Sequence, residues 1–245
     1  MTLIDKTNIL IIVPAFNEQD SIVSVIEQIK NTGFSFVVID DGSTDETRKR
    51  AKTAGARTIS LPFNGGVGAA MKCGFQYAVK NNYLAIVQID ADGQHPVSGI
   101  DNLIKAVNES RSDMVIGSRF KSEHTDQSIS EVRLKAISVL CLVARLLTQK
   151  TFTDPTSGIR LIRYPLLKAF AEQFPREYLG DTFGALIFTE RNNYVATEIA
   201  IPFANRIAGK PSTTKITALG FYCRVILNTL FHLKPKQSSC AKLSK

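Results

Sequence analysis

Residues 9–42 read ILIIVPAFNEQDSIVSVIEQIKNTGFSFVVIDDG. Two continuous apolar runs, Ile9–Val13 and Phe36–Ile39, have the composition of strands that are buried on both faces of a sheet. We expect Pro14 to end the first of them. The segment between them, Glu18–Lys30, carries apolar residues at helical spacing, namely Ile22, Val25, Ile26 and Ile29. A strand, a helix and a second strand in this order predict a parallel β-α-β unit.

The same alternation continues as far as residue 117. Further strands are predicted at Thr58–Leu61, Leu84–Ile89 and Met114–Ile116, and further helices at residues 43–54, 65–80 and 97–107. We expect Ser43 and Thr44 at the N-cap of the first of these helices. The sequence therefore predicts an α/β fold, in which helices cover both faces of a mostly parallel central sheet. Ligands bind such sheets beyond the carboxyl ends of the strands.

The pattern changes after Arg119. A long helix is predicted at Glu131–Thr148, with a wide apolar face and basic residues beside it. The remaining predicted elements are a loop at Asp154–Gly158, strands at Ile159–Ile162 and Val195–Ile201, and helices at Leu166–Phe170, Asp181–Arg191 and Thr214–Leu233. We assign residues 1–212 to one domain and residues 213–245 to a basic amphipathic segment with a polar tail.

The net charge of +8 could serve nucleic acid, an anionic membrane surface or phosphorylated substrates. Between residues 131 and 245 the basic residues are mixed with long apolar side chains, which favours a lipid surface. The acidic residues gather at predicted strand ends, where a ligand would lie, and this argues against nucleic acid. No signal peptide and no apolar stretch of the ~20 residues that a transmembrane helix needs is found. We therefore expect a cytoplasmic protein.

Two carboxylates, Asp90 and Asp92, directly follow the predicted strand that ends at residue 89. If the strand alternation continues, they point to the same side and repel each other unless a cation lies between them. Oxygen ligands suit Mg²⁺ or Mn²⁺, ions that usually hold substrate phosphates as well. Gln94 and His95 are possible further ligands. The alternative is an ordinary acidic turn without a metal.

A second acidic cluster, Asp40-Asp-Gly-Ser-Thr-Asp45, follows another predicted strand. A helix N-terminus explains Ser43, Thr44 and Asp45, because capping hydroxyls and acids are favoured there. It does not explain Asp40 and Asp41, which precede the cap. Carboxylates at that place could accept hydrogen bonds from a nucleobase or a ribose.

The third predicted helix opens with Asn64-Gly-Gly-Val-Gly68. Glycines let a backbone approach a ligand closely, and a helix N-terminus favours an anion. The segment is neither a Walker P-loop nor the dinucleotide fingerprint, since the required lysine and glycine spacing are absent. A turn without a ligand is the alternative.

Six motifs occur in a fixed order. They are Ile12-Val-Pro-Ala-Phe-Asn-Glu18, Asp40-Asp-Gly-Ser-Thr-Asp45, Asn64-Gly-Gly-Val-Gly68, Asp90-Ala-Asp92, Gly117-Ser-Arg119 and Asp154-Pro-Thr-Ser-Gly-Ile-Arg160. The ordered set resembles the family 2 glycosyltransferases of the GT-A fold. Within that family it is most similar to dolichol-phosphate mannosyltransferases and bacterial polyprenyl-phosphate glycosyltransferases. The resemblance extends from about residue 9 to residue 212, which makes residues 1–212 the catalytic domain.

The resemblance implies a role for each motif. The nucleotide would be bound by Pro14, Ala15, Asn17, Glu18, Asp40, Asp41, Gly68 and Arg206. The metal that bridges the diphosphate would be held by Asp90, Asp92 and Gln94. The acceptor would be bound by Ser157, Arg160 and Arg133. Arg119 would contact a phosphate, and Arg206 would close over the nucleotide diphosphate.

The resemblance also implies an inverting reaction, in which the acceptor attacks the anomeric carbon from the face opposite the nucleoside diphosphate. A hydroxyl acceptor needs a carboxylate base, for which Asp181 and Asp154 are the candidates, whereas a phosphate acceptor is already ionised. Asp181 could equally be a helix N-terminal acid. Two positions depart from the pattern of many relatives. Val67 stands where they carry a basic residue, and Asp181 lacks a neighbouring Glu-Asp doublet.

We therefore expect transfer of a sugar to a polyprenyl phosphate at the inner face of the membrane. The Glu131–Thr148 helix matches in position the segment that lies on the membrane in similar enzymes, although a core or dimer helix would show the same apolar face. One alternative is a glycosyltransferase that extends a hydroxyl acceptor in polysaccharide or lipopolysaccharide synthesis. Others are a nucleotide-sugar-binding module without activity and a nucleotidyltransferase.

Overall fold

A computed structural model describes residues 3–94, 97–121, 131–174 and 180–201. These residues form a seven-stranded sheet with helices on both faces. The strands are β1 Ile9–Ala15, β2 Ser35–Asp40, β3 Thr58–Ser60, β4 Ala85–Gln88, β5 Met114–Ser118, β6 Arg160–Arg163 and β7 Ala196–Ala200. The α-helices are α1 Ile22–Thr32, α2 Thr47–Thr53, α3 Val67–Lys80, α4 Ile100–Ser110, α5 Glu131–Thr148, α6 Leu166–Glu172 and α7 Ala185–Arg191. The predicted helix Thr214–Leu233, the domain boundary at residue 212, His95 and Arg206 lie outside the described residues.

The strand order across the sheet is β3-β2-β1-β4-β6-β5-β7. All neighbouring strands are parallel except at β6, which lies antiparallel between β4 and β5. The predicted mostly parallel sheet is therefore confirmed. The carboxyl ends of the parallel strands lie at one edge, and the antiparallel β6 begins at that edge, with Arg160 opposite Gln88 and Ile116.

The prediction that Pro14 ends the first strand is wrong, since β1 continues to Ala15. Pro14 lies opposite Ile39 of β2, but the pairing of β1 with β4 stops at Ile12. At Pro14 the strand therefore has a neighbour on one side only. A missing N–H costs no ladder bond where it faces the side without a partner.

The helices bury two apolar cores, one on each face of the sheet. One core packs α3, α5, α6 and α7 against the sheet, and it includes the ring contacts of Phe75 with Phe170 and Phe174 at 5.6 and 4.8 Å between centroids. The other core packs α1 and α4, through residues such as Ile26 and Leu103. This arrangement confirms that both faces of the sheet are covered, which leaves its edges for ligands.

The second helix begins at Thr47, so the predicted N-cap at Ser43 and Thr44 is wrong. The backbone N–H groups of Ser43 and Thr44 donate instead to the side chains of Asp40 and Asn17, at 3.1 and 2.9 Å. Because these donors are used by partners outside the helix, residues 41–46 form a loop rather than a helical turn. This loop lies at the carboxyl edge of the sheet.

Candidate active site

The loop after β1 is joined to the loop after β2 by hydrogen bonds. Asn17, in the left-handed conformation with φ of 54°, accepts at its side-chain oxygen from Thr44 and donates its backbone N–H to Ser43. The backbone N–H of Glu18 donates to the Thr47 hydroxyl at 2.8 Å. Pro14 and Ala15 are buried, whereas Asn17 is exposed and Glu18 is half-buried. Within this motif, Asn17 and Glu18 therefore have the polar side chains that a nucleotide could reach.

The two adjacent acids after β2 have different partners. Asp40 is fully buried and accepts from the Ser43 backbone and from Arg48 Nε at 2.7 Å. Burial raises the pKa of Asp40, but these hydrogen bonds outweigh it and hold the pKa below its ordinary value. Asp41 accepts from the backbone N–H of Gly65 at 2.9 Å, and burial raises its pKa. Asp40 thus organises its own loop, and Asp41 connects the β2 end to the glycine-rich segment.

Gly42 allows the loops after β2 and β3 to approach each other. Its φ is +71°, and an added Cβ would lie 2.6 Å from the carbonyl carbon of Phe63 and 2.8 Å from the nitrogen of Asn64. A larger residue would push these loops apart. The helix α3 begins just beyond, so Gly68 is buried in its first turn. The structure thus brings three predicted nucleotide motifs to one end of the sheet.

The two candidate metal ligands lie in a turn beyond β4. The strand ends at Gln88, so the expected strand alternation does not extend to Asp90 and Asp92, and that premise is wrong. Both acids are nevertheless half-buried on either side of the buried Ala91. The turn is held by Gln88 Nε2, which donates to Asp90 at 3.4 Å, and by the Gln94 backbone N–H, which donates to Asp92 at 3.0 Å.

The donor set fits a divalent cation that is shared with a substrate. Within the described ranges, no group of three or more acidic, histidine or cysteine side chains forms a complete metal cage. Asp90 and Asp92 supply hard oxygen donors at the carboxyl edge of the sheet, where both are half-buried. Mg²⁺-type ions are commonly bound by one or two carboxylates, with substrate phosphates and water completing the coordination. The place of Gln94 as a third ligand stays a prediction.

Arg119 and Asp154 form a paired site at the end of β5. Arg119 Nε and Nη2 donate to the two oxygens of Asp154 at 2.7 and 2.9 Å, and the Asp154 side chain is fully buried. A bidentate pair of this kind fixes the orientation of both groups. The geometry favours Asp154 as the partner that orients Arg119 rather than as a base. The phosphate contact predicted for Arg119 stays a prediction.

The sequence did not single out Glu198 of β7, but this residue contacts the Arg119–Asp154 pair through the Asp154 backbone. Its carboxylate accepts from the backbone N–H groups of Thr153 and Asp154 at 2.7 and 2.9 Å. Glu198 belongs to none of the six motifs, and the sequence of β7 is that of an ordinary strand. Only the packing of β7 beside β5 brings it to the site.

Ser157 and Arg160 are buried, which argues against the direct acceptor contact predicted for them. The Ser157 hydroxyl donates to the Gly117 carbonyl. Arg160 is 0% exposed and donates to the carbonyls of Ser157, Pro155 and Thr182 at 2.8, 2.9 and 2.7 Å. Burial lowers the pKa of Arg160 to about 10, so it stays a cation at neutral pH. In this structure Arg160 ties the loop at residues 154–158, named the acceptor loop after its predicted role, to the segment that carries Asp181.

Asp181 lies in a single π-helical turn, Gly180–Gly184, so the predicted α-helix at Asp181–Arg191 starts only at Ala185. Such turns are frequent at functional sites. Burial raises the pKa of Asp181 to about 6, the positive charge of Arg160 partly opposes this, and the negative charge of Asp90 adds to it. Two acids that are far apart in sequence therefore lie within electrostatic reach of each other.

Comparison with known proteins shows the family. The sequence profile described as Glycosyl transferase family 2 matches residues 10–170, more than half of the chain. The chain is a family 2 glycosyltransferase. The resemblance and the enzyme class predicted from the motifs are thereby confirmed. The family assignment replaces the two alternatives of a binding module without activity and a nucleotidyltransferase.

Several relatives of this glycosyltransferase are named for polyprenyl-phosphate acceptors. A UDP-N-acetylglucosamine–dolichyl-phosphate N-acetylglucosaminyltransferase from Methanococcus voltae is 27% identical, over 79% of this chain and 84% of the relative. An undecaprenyl-phosphate mannosyltransferase from Micrococcus luteus is 27% identical, over 82% of this chain and 86% of the relative.

Solved structures show the same GT-A fold. Glucosyl-3-phosphoglycerate synthase from Mycobacterium tuberculosis, in complex with Mn²⁺, UDP and phosphoglyceric acid, superimposes with a TM-score of 0.70 at 25% identity. The match covers 92% of this chain and 78% of the synthase. The predicted fold class is confirmed for the described residues. A GT-A neighbour therefore binds a divalent metal together with a nucleoside diphosphate.

Proposed function

We propose that this glycosyltransferase transfers a sugar, with inversion, from a nucleotide-diphosphate sugar to a polyprenyl phosphate such as undecaprenyl or dolichyl phosphate. The reaction takes place at the cytoplasmic face of the membrane. One observation carries the proposal: one side of α5 contacts Thr153, directly before the loop at residues 154–158, and the opposite side exposes an apolar stripe. The relatives that are named for polyprenyl-phosphate acceptors support the same acceptor class.

The donor would bind at the carboxyl ends of β1, β2 and β4. Asn17 and Glu18 would offer polar groups to the nucleoside, while the buried Asp41 would hold the glycine-rich segment beside it. Asp90 and Asp92 would hold Mg²⁺ or Mn²⁺ against the diphosphate. When bound, the ion supplies positive charge that stabilises the departing nucleoside diphosphate.

The helix α5 connects this site to a surface. On its buried side, Cys141 Sγ donates to the Thr153 carbonyl at 3.6 Å, directly before Asp154. On its opposite side, Val139, Leu142 and Leu146 are 48, 56 and 71% exposed. The exposed basic residues of the helix are Arg133, Lys135 and Arg145. No helix in the described part of the chain has the length and apolarity to cross a bilayer.

These features fit a lipid-phosphate acceptor. An exposed apolar stripe with basic neighbours is suited to lie in the interface of an anionic membrane. The acceptor phosphate would then reach the site along the helix whose inner side contacts Thr153, directly before the acceptor loop. Arg133, at the start of α5, is exposed and could contact the lipid headgroup.

The direct test incubates the purified chain with labelled nucleotide sugars, Mn²⁺ and undecaprenyl phosphate. We expect label in the organic phase, and none when undecaprenol replaces the phosphate. Label that enters only a glycan with free hydroxyls would contradict the proposed acceptor. Both acceptors can be supplied to the same enzyme preparation. Label in the glycan alone would then show an active enzyme with a hydroxyl acceptor, and label in neither would show an inactive preparation.

A hydroxyl acceptor is the second candidate, and the position of Asp181 favours it. A buried carboxylate whose pKa is raised to about 6 is suited to take a proton from a sugar hydroxyl near neutral pH. With Asp181 as the base, the enzyme would extend a cell-surface polysaccharide or lipopolysaccharide at a hydroxyl group.

Asp181→Asn distinguishes the two acceptors. If the acceptor is a phosphate, we expect kcat to fall less than about tenfold, because no proton has to be removed. If it is a hydroxyl, we expect a fall of at least about 100-fold, in line with the loss of a general base. The wild-type hydroxyl reaction would also slow as the pH falls through about 6, since protonation of Asp181 removes the base. Steady-state rates between pH 5 and 8 measure both effects.

Leu142→Glu combined with Leu146→Glu should weaken membrane binding. Each substitution removes an apolar side chain from the interface and adds a negative charge, so we expect partitioning to anionic vesicles to fall at least about 100-fold. Co-sedimentation with vesicles of phosphatidylglycerol measures it. Val195→Glu, a change at a similarly exposed apolar residue outside α5, is the control. Equal loss in both proteins would contradict α5 as the membrane surface.

A further inference from the structure

Glu198 lies on the edge strand β7, outside every motif of the active site. It is paired in register with Ile116 of β5, and its carboxylate reaches the loop that precedes β6. One oxygen accepts from the Thr153 backbone N–H at 2.7 Å and from the Thr153 hydroxyl at 3.0 Å. The other accepts from the Asp154 backbone N–H at 2.9 Å. Three hydrogen bonds to two consecutive residues fix the orientation of that backbone segment.

The fixed segment carries the partner of Arg119. The two Asp154 oxygens accept from Arg119 Nη2 at 2.9 Å and from Arg119 Nε at 2.7 Å. One of them also accepts from the Arg119 backbone N–H at 3.3 Å. Glu198 therefore acts on Arg119 through Asp154, in a continuous series of charge-assisted hydrogen bonds that runs from the sheet edge to the end of β5.

This series of contacts fixes the orientation of a charged pair at the end of β5. The Asp154 side chain is fully buried, and the Arg119 side chain is 11% exposed. The backbone segment that Glu198 holds sets the direction of the Asp154 carboxylate, which accepts from the guanidinium of Arg119.

We propose that Glu198 is a positioning residue that holds Asp154 so that Arg119 is oriented toward a phosphate of the bound substrate. The proposal rests on the proposed function only in assigning a phosphate to Arg119. Glu198 itself touches neither donor nor acceptor. It sets the orientation of the Arg119 guanidinium, at the end of β5, before the substrate binds.

Glu198→Gln tests the proposal in the full chain. The amide keeps one acceptor oxygen and replaces the other with an NH₂ group, which faces a backbone N–H and cannot accept from it. Glu190→Gln is the matched control. Glu190 also accepts from the backbone N–H of a β7 residue, Ala196, but its ionic partner is Lys150.

The first readout is the exchange of the Arg119 Nε–H proton with solvent, followed by NMR on chain labelled with ¹⁵N-arginine and assigned with Arg119→Lys. We expect Glu198→Gln to speed this exchange at least about tenfold and Glu190→Gln to leave it unchanged. Unchanged exchange in Glu198→Gln would overturn the proposal. If Glu198→Gln does not fold, Thr153→Val takes its place, with a smaller expected change in the same direction. Because the Thr153 hydroxyl also bonds Ser118, the change must exceed that in Ser118→Ala.

The second readout is hydrolysis of the sugar donor by water, which needs no lipid acceptor. We expect kcat/KM to fall about 10- to 100-fold in Glu198→Gln, and this loss to disappear when Arg119 is already replaced by alanine. If Glu198→Gln lowers kcat/KM equally in the wild-type chain and in Arg119→Ala, Glu198 has a merely structural role. The same follows if Glu190→Gln lowers kcat/KM as much as Glu198→Gln does. Neither readout uses polyprenyl phosphate, so failure of that acceptor leaves this test intact.

Discussion

Asp92→Ala is expected to lower sugar transfer by about 100- to 1000-fold, because the diphosphate would lose the cation that neutralises its developing charge. Asp92 lies at the carboxyl edge of the sheet, and its side chain accepts from the Gln94 backbone in the turn after β4. Transfer of label from nucleotide sugar to acceptor, at saturating Mn²⁺, measures the loss.

A measurement of ligand binding separates this loss from misfolding. UDP or GDP together with Mn²⁺ should raise the unfolding temperature of the wild-type chain, and Asp92→Ala should abolish the increase that depends on Mn²⁺. Asp101→Ala is the matched control, since Asp101 is an exposed acid in the first turn of α4. Full activity in Asp92→Ala would show that the metal assignment is wrong.

Arg160→Met is expected to lower the free energy of unfolding by about 3–5 kcal/mol, the cost of removing one partner from a buried charged network. The substitution leaves three carbonyls without their donor, on the acceptor loop and on the π-helical turn. It also removes the cation that opposes the raised pKa of Asp181. Urea unfolding followed by circular dichroism measures the change.

Two further variants make this expectation specific to Arg160. Arg111→Met, at an exposed arginine after α4, should change stability by less than about 0.5 kcal/mol. Arg160→Lys keeps the charge but loses the planar set of donors, so an intermediate loss is expected. A loss below about 1 kcal/mol in Arg160→Met would contradict the role of Arg160 in joining the loop to the π-helical turn.

The sequence predicted some features well because they depend on neighbours along the chain. The bounds of α5 at Glu131–Thr148 are those predicted from its spacing of apolar residues. Polar residues that follow strands, such as Asn17 and Asp92, were placed at the site because parallel strands end at one edge. Sequence order was also sufficient to recognise the family, since six weak motifs in a fixed order are far more specific than any one of them.

Other features could not be predicted because they depend on which elements become neighbours in space. Asp40 and Asp41 are adjacent in sequence, yet one pairs with Arg48 and the other with the glycine-rich segment. Arg160 was expected at the acceptor but is buried in the sheet. Hydrophobic periodicity carries no information about the hydrogen-bond partners of a buried polar side chain.

The sequence by itself determined the order of strands and helices, the mostly parallel sheet and the edge at which polar residues gather. Only the tertiary structure decided that β6 enters antiparallel between β4 and β5. That insertion brings Arg160 beneath the site, and the packing of β7 on β5 brings Glu198 to Asp154. The physical reason is that apolar spacing records whether a residue is buried, whereas strand order across a sheet is set by contacts between distant segments.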